Sequence, residues 1–245
     1  MNTNFIRAIE INRDNLPEDS YVRQIPSLKN LNGIEFDTPV TFFVGENGSG
    51  KSTLLEAIAV AYGFNAEGGT KNYSFSTYDS HSDLYQAVKV IRGVYRPTHG
   101  YFLRAESFYN VATKEEEYSR TTPQHAQHYH EKSHGESFLQ AFHHNFVEQG
   151  IYLIDEPEAA LSIQRQMTFL IDLYNGVKEG SQFIIVTHSP ILLSLPDAKI
   201  LSFDNGEIHE VSYEETESYK VTELFINNRE SMLNKLLHNE EKQGE

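Results

Sequence analysis

The most chemically specific stretch of this chain is residues 45–52, which read Gly-Glu-Asn-Gly-Ser-Gly-Lys-Ser. They match the P-loop pattern, in which a glycine-rich turn presents backbone N–H groups to phosphate oxygens. In this pattern Lys51 reaches the β- and γ-phosphates of a nucleotide, and the hydroxyl of Ser52 is a ligand for Mg²⁺. The sequence therefore predicts a binding site for ATP together with Mg²⁺.

The residues on either side of this loop have the composition that its geometry requires. Val40–Val44 is a β-branched and aromatic run typical of a buried strand, and residues 53–61 are rich in helix-forming residues. The N-terminus of such a helix favours phosphate through its partial positive charge. We expect Thr53 to support the first helical turn rather than to bind the metal. The expected nucleotide-binding residues are Gly45, Asn47, Gly48, Ser49, Gly50, Lys51, Ser52 and Thr53.

Two acidic residues follow a second apolar strand, at residues 151–154. Alone, such a pair would be interpreted as an ordinary helix cap. Beside a P-loop, Asp155 is the expected Mg²⁺ ligand and Glu156 the residue that polarises the attacking water, since ligands of α/β folds bind at the carboxyl ends of strands. Pro157 is expected to end the strand and open the next helical turn.

A third apolar strand, at residues 182–186, is followed by His188. A neutral imidazole both donates and accepts hydrogen bonds, so His188 is expected to contact the γ-phosphate or the attacking water. A single histidine is more often structural, but its position at a strand end favours the functional interpretation. The expected catalytic set is Lys51, Glu156 and His188.

Together, the P-loop, the acidic strand end at 151–156 and His188 resemble the ABC-type ATPase superfamily, in particular its small soluble members that are not transporters. The resemblance implies a P-loop α/β fold with a mixed central sheet, antiparallel N-terminal strands and a helical signature arm. Residues 132–136 look like a degenerate signature motif, so Ser133 and Gly135 would contact the nucleotide held by a second copy. Residues 160–162 resemble the D-loop, which lies along the interface of the homodimer.

The resemblance weakens at the glutamine loop, which should follow a strand between the P-loop and the signature. Residues 100–108 are the expected region, and Glu106 would replace the glutamine there as a metal or water contact. An aromatic residue that stacks on adenine is also expected before the P-loop. Tyr21 is the candidate by distance along the chain, and an exposed loop tyrosine is the alternative.

Composition limits the class of protein. The 245 residues suit one domain, expected to span 1–245, with an insert at 63–100, the arm at 107–147 and a C-terminal helix and tail at 216–245. The chain has no cysteine and no long apolar stretch, so we expect a cytoplasmic protein without a transmembrane segment. A net charge of −15 argues against a wide basic surface for nucleic acid.

Outside the motifs, local patterns predict the remaining elements. Residues 5–11 alternate as a half-buried strand, and 12–32 should hold a loop with a short strand. Residues 84–94 and 101–105 look like two paired strands. The Asp-Asn-Gly sequence at 204–206 predicts a hairpin turn, and residues 222–237 an amphipathic helix.

These observations predict a soluble ATPase in which ATP is sandwiched between two head-to-tail subunits. Its cycle would switch the conformation of a protein or nucleic-acid partner. One alternative is the ATP-binding subunit of a membrane transporter, although the altered signature and the missing glutamine argue against it. A clamp that binds nucleotide without hydrolysis is the third interpretation, and Glu156 argues against that one.

Overall fold

The computed structural model describes residues 3–70, 82–104 and 134–238. Glu106 and Ser133, the centre of the 63–100 range, most of the expected arm at 107–147 and the end of the C-terminal tail lie outside the described residues. Gly135 lies within them, near the start of a helix.

The described elements alternate between strands and helices along most of the chain. The strands are β1 (Ile6–Ile11), β2 (Gly33–Glu35), β3 (Val40–Val44), β4 (Gly69–Thr70), β5 (Val88–Arg92), β6 (Gly100–Arg104), β7 (Ile151–Asp155), β8 (Gln182–Val186), β9 (Lys199–Ser202) and β10 (His209–Glu210). The α-helices are α1 (Pro26–Lys29), α2 (Lys51–Tyr62), α3 (Leu84–Ala87), α4 (His134–Asn145), α5 (Ile163–Lys178), α6 (Pro190–Leu193), α7 (Glu217–Asn227) and α8 (Arg229–His238). Short 3₁₀ helices connect several of them.

Two sheets organise the described residues. The larger has the strand order β10-β9-β3-β8-β7-β6-β4, and the smaller has the order β2-β1-β5. Strands β9, β3, β8, β7 and β6 are parallel, whereas β10 and β4 add antiparallel edges. The small sheet is antiparallel throughout. The expected α/β fold, with a mixed central sheet and antiparallel N-terminal strands, is confirmed.

The central strands are buried on both faces, because helices and the small sheet cover them. Alternate residues of β3 point into different hydrophobic clusters, with Phe43 in one and Phe42 in the other. The Phe43 side packs against α2 and the small sheet, whose Ile9 is 1% exposed. The Phe42 side packs against α4 and α5, which contribute Phe142 and Phe169. This burial explains why β3, β7 and β8 are continuous apolar runs.

The side chain of Gln182 connects the two sheets. Gln182 begins β8 and is 1% exposed. Its Oε1 accepts from the Ile6 backbone N–H at 2.9 Å, and its Nε2 donates to the Ile6 carbonyl at 2.8 Å. The side-chain amide therefore pairs with the first residue of β1 as a neighbouring strand would.

Gln182→Leu should lower the free energy of unfolding by about 2–3 kcal/mol, because it leaves the buried N–H and carbonyl of Ile6 without this partner. Urea denaturation measures the change, and Gln164→Leu on the exposed side of α5 is the control. An unfolding midpoint equal to that of the control variant would contradict the role of this side chain.

Three local expectations are wrong. Residues 84–94 and 101–105 do not pair with each other, because Leu84–Ala87 is helical, β5 pairs with β1 and β6 pairs with β7. Residues 12–32 contain two 3₁₀ helices and α1 rather than a strand. The expected helix at 222–237 is two helices, separated at Asn228. By contrast, the predicted hairpin is present, with β9 and β10 antiparallel.

Two further observations concern the 63–100 range and the described helices. The 63–100 range supplies β4, α3 and β5, and the last of these is an edge strand of the small sheet. Among the described helices, none combines the length and the apolar character needed to cross a bilayer.

Candidate nucleotide-binding site

Sheet order brings the three predicted motifs to one edge. Strand β8 lies between β3 and β7, and all three are parallel. Their carboxyl ends therefore face the same side, which is where α/β folds bind ligands. The P-loop follows β3, Asp155 ends β7, and His188 follows β8.

The P-loop has a conformation that only glycine adopts without strain at several positions. Gly45, Gly48 and Gly50 have φ values of 136°, 80° and 97°. A Cβ at Gly50 would lie 2.9 Å from Cγ2 of Ile25, which precedes α1, and 3.0 Å from Cδ1 of Leu28 within α1, so this segment leaves no room for a side chain there. The hydroxyl of Ser27, also in α1, donates to the Ser49 carbonyl. Helix α2 begins directly after this turn, at Lys51, as the motif requires.

Lys51 is buried at the centre of the loop, with 4% of its surface exposed. Its Nζ donates to the carbonyls of Gly45 and Glu46, each at 2.7 Å. Burial lowers the pKa of this ammonium, and the negative charges of Glu156 and Asp204 oppose that effect. The cation is therefore held inside the curve of the loop, from where it could reach the phosphates of a bound nucleotide.

Ser52 and Asp155 form the expected metal-binding pair. The Ser52 hydroxyl donates to Asp155 Oδ1 at 2.8 Å, although the two residues are 103 positions apart in the sequence. Hydroxyl and carboxylate oxygens are the ligands that Mg²⁺ prefers, and the magnesium sites of nucleotide-binding enzymes use one or two such groups together with phosphates. These residues fit the magnesium ion that the fold family implies.

Glu156 has a strained backbone. Its φ and ψ are 49° and 54°, the left-handed region that non-glycine residues rarely occupy, and its N–H donates to the Val186 carbonyl at 3.0 Å. Such strain concentrates at functional sites, where it directs a side chain that regular structure would point elsewhere. As predicted, Pro157 follows at the first position of a short 3₁₀ helix.

His188 presents an imidazole nitrogen that has no partner among the described residues. Its Nε2 atom is buried and accepts or donates no hydrogen bond there. The residue lines a cleft of about 780 Å³ beside the P-loop, together with Gly45, Glu46 and Thr187. A buried nitrogen without a partner requires an explanation, and a ligand group in this cleft would supply one.

No sequence pattern indicated the role of Glu158, whose carboxylate holds the segment that carries His188. Its Oε2 accepts from the Thr187 hydroxyl at 2.7 Å, and its Oε1 accepts from the His188 N–H. Thr187 is fully buried, and its Oγ1 in turn accepts from the Ser189 N–H at 3.0 Å. The carboxylate therefore connects the segments that follow β7 and β8. Only its position after Pro157 could have indicated this role.

Glu158→Gln should reduce ATP turnover by about 10-fold to 100-fold and leave ATP affinity nearly unchanged. An amide can keep both contacts only by reversing the one to Thr187, and it loses the negative charge that strengthens the bond from the His188 N–H, so the segment is held more weakly. Steady-state turnover and calorimetric ATP binding measure the two effects. The control is Glu179→Gln, an exposed glutamate after α5. Equal turnover in both variants would contradict a positioning role.

Two further charged residues near the site were also missed. Asp204 Oδ1 accepts from the Glu46 N–H at 2.8 Å, so the turn after β9 supports the start of the P-loop. The sequence pattern predicted Asp204 only as a turn residue. Arg104, at the end of β6, lies with its Nε 3.6 Å from Asp155 Oδ2. Both contacts join segments far apart in the sequence.

The positions of the other predicted nucleotide-binding residues say less about their roles. Asn47 and Gly48 are exposed on the loop, and Thr53 is half-buried in the first turn of α2. Gly135 is the second residue of α4. Tyr21 begins a 3₁₀ helix with 54% of its surface exposed, so the described contacts give no support for either interpretation of this residue.

Comparison with solved structures gives partial likenesses. An inward-facing metal-chelate type ABC transporter is 17% identical, covering 86% of this chain and 84% of its own, with a TM-score of 0.49. The SMC head domain from Thermotoga maritima is 15% identical over 85% of this chain and 98% of its own, with a TM-score of 0.44. An Smc head with coiled coil from Pyrococcus yayanosii is 25% identical, over 38% of this chain and 19% of its own, with a TM-score of 0.31.

These TM-scores are all below 0.5, so the assignment depends on the family match together with the geometry described above. None of the curated proteins compared with the chain matches it. The family model for the AAA domain matches residues 21–243, which include every motif of the candidate site. The chain therefore belongs to the AAA domain family, and it has the mixed α/β P-loop fold that its motifs predict.

Proposed function

We propose that this protein binds ATP and hydrolyses it, as a single ATPase domain spanning residues 1–245. The observation that carries the proposal is the 2.8 Å hydrogen bond between Ser52 and Asp155. It joins the P-loop to the end of β7, so the expected phosphate and metal residues lie at one site, with Glu156 next in sequence. A protein that only bound nucleotide would not need a strained glutamate at that position.

Each residue at the edge of the sheet has a separate task. Lys51 would exchange its backbone carbonyls for β- and γ-phosphate oxygens, while Ser52 and Asp155 would hold Mg²⁺. When bound, Mg²⁺ neutralises negative charge on the phosphates. Glu156 would accept a proton from the attacking water, and His188 Nε2 would either donate to the γ-phosphate or exchange a hydrogen bond with that water.

The finer proposal is that two copies complete each site. One chain carries one P-loop and one signature, so a head-to-tail homodimer is the simplest assembly with two complete sites. Each nucleotide would lie between the P-loop of one subunit and Ser133 and Gly135 of the other. Residues 160–162, which lead into α5, would lie along this interface. ATP would close the pair, and loss of the γ-phosphate would open it.

A mixing experiment tests this arrangement. Lys51→Met and Ser133→Arg should each be inactive alone, because each breaks both sites of a homodimer. When mixed, the heterodimer regains one complete site, and activity should recover to about a quarter of the wild-type value, since half of randomly paired dimers are mixed and each has one working site. No recovery, in a mixture shown by sizing with ATP to contain dimers, would contradict the head-to-tail arrangement.

We further propose that closure switches the conformation of a protein or nucleic-acid partner. The net charge of −15 disfavours extended non-specific contact with nucleic acid, so such a partner would need a local basic surface. Glu156→Gln with ATP should accumulate the closed state and retain the partner in affinity purification. Stimulation of turnover by DNA or RNA would identify the nucleic-acid class.

A further inference from the structure

Four side chains form a continuous polar chain beside the expected metal site. The Ser52 hydroxyl donates to Asp155 Oδ1, and Asp155 Oδ2 lies 3.6 Å from Arg104 Nε. Arg104 Nη1 in turn lies 2.7 Å from Glu56 Oε2. The predicted metal carboxylate is thus shared between a hydroxyl and a guanidinium.

The fold brings these residues together through two regular relationships. Arg104 and Asp155 are direct partners in the parallel pairing of β6 and β7, so both side chains leave their strands at the same edge. Ser52 and Glu56 are four residues apart on α2 and therefore lie on one face of that helix. Each strand-end residue meets one of these helix residues. The arrangement follows from strand register and helix period rather than from a flexible surface contact.

Arg104 is held firmly in this position. Besides Glu56, its Nη1 donates to the Ala66 carbonyl at 3.2 Å. The side chains of Arg104, Glu56 and Asp155 are 19%, 12% and 9% exposed, so water screens their charges only weakly. A permanent positive charge therefore lies beside the carboxylate that is expected to bind Mg²⁺.

The positive charge of Arg104 changes the net charge beside the expected metal site. Asp155 and Glu56 contribute two negative charges, and Arg104 cancels one of them. A divalent cation approaching alone would meet a guanidinium beside its carboxylate ligand, and its binding would be weak. The phosphates of ATP add several negative charges to the same edge and outweigh the guanidinium, so the metal binds well only in their company.

We propose that Arg104 makes metal binding at Asp155 depend on the nucleotide, so that the metal enters the site with ATP rather than before it. This inference rests on the proposed ATP site. In it Arg104 is a positioning residue, which acts through Asp155 and contacts neither the phosphates nor the water. Glu56 holds Arg104 close to Asp155 and away from the phosphates.

The direct test measures Mn²⁺ binding without nucleotide, using the electron paramagnetic resonance signal of the Mn²⁺ that stays free. Arg104→Gln should bind Mn²⁺ at least about tenfold more tightly than the wild type, because a like charge near the ligand is removed. Arg104→Lys keeps the charge and should match the wild type. Adding Asp155→Asn to Arg104→Gln should abolish the gain. An Mn²⁺ affinity in folded Arg104→Gln that equals or falls below the wild-type value would overturn the inference.

A second variant keeps the inference testable if Arg104→Gln does not fold. Glu56→Gln removes the negative charge that pairs with Arg104 and leaves the guanidinium less neutralised, so that it attracts phosphates more strongly. ATP affinity measured in EDTA should rise about threefold or more, while affinity in Mg²⁺ changes less. An unchanged ratio of the two affinities would overturn the inference.

The Mn²⁺ measurement requires no ATP turnover, so the role of Arg104 and the proposed ATP hydrolysis can be refuted independently. A wild-type protein that hydrolyses ATP, with no gain of Mn²⁺ affinity in Arg104→Gln, refutes only the role of Arg104. A gain of Mn²⁺ affinity in a protein without ATP turnover refutes only the proposed hydrolysis.

Discussion

Glu156→Gln is expected to reduce ATP turnover by about 10²- to 10⁴-fold, with ATP affinity changed by less than about threefold. Glutamine has the size of glutamate and retains a hydrogen-bonding carbonyl, but it cannot accept a proton from water. The left-handed backbone at this position is equally strained in both proteins, so the loop should keep its shape. Turnover in steady state and calorimetric ATP binding measure the two quantities.

The Glu179→Gln variant is again the matched control, because it makes the same chemical change on an exposed residue after α5. The control should hydrolyse ATP at the wild-type rate. A Glu156→Gln variant that keeps more than about a tenth of wild-type turnover would show that another group activates the water. Turnover and affinity lost together would instead indicate a binding role for Glu156.

Lys51→Met should lower the affinity for ATP by about 100-fold or more, without a comparable loss of stability. The ammonium is buried in the loop, and burial opposes its charge, so its removal relieves a cost while two carbonyl contacts and the attraction of nearby carboxylates such as Glu156 are lost. These effects offset each other, and the free energy of unfolding should change by less than about 1 kcal/mol. Calorimetry and urea denaturation separate binding from folding.

The lowered pKa of Lys51 adds a dependence on pH. Desolvation by burial lowers this pKa from its ordinary value of 10.5. ATP binds the protonated form better, so affinity is complete below the lowered pKa and falls as the pH rises through it. The decline should therefore begin before pH reaches the range of an ordinary lysine. Constant affinity up to that range would contradict the buried position of this ammonium. ATP binding retained in Lys51→Met would show that Lys51 does not bind the phosphates.

The parts of the site that sequence analysis predicted are those encoded by short, contiguous patterns. The P-loop, the Asp155–Glu156 pair and His188 each follow an apolar strand directly, and parallel strands deliver their ends to one edge. Knowing the local pattern was therefore enough to expect that these residues meet.

The residues that were missed owe their position to pairings between distant segments. Arg104 lies beside Asp155 because β6 and β7 are paired in that register, and nothing near residue 104 indicates which strand it will join. Glu158 acts on Thr187 and His188 across the gap between two strand ends. No local pattern specifies either contact.

The incorrect pairing of residues 84–94 with 101–105 has the same origin. A turn between two apolar runs suggests a hairpin, but here it joins strands of two different sheets. Strand β5 needs β1 as its partner, and β6, which is buried along most of its length, fits between β7 and β4. Tertiary burial overrode the local preference.

Because the backbone at residue 156 is left-handed, this protein is less stable than a variant with glycine at that position would be. A glycine there would adopt φ of 49° without the penalty of about 1–3 kcal/mol that a side chain incurs. A screen for thermal tolerance alone should therefore enrich glycine at this position, and the most heat-resistant clones should be inactive. Engineering a robust version of the protein would have to exclude residue 156 and draw its gains from the remainder of the chain.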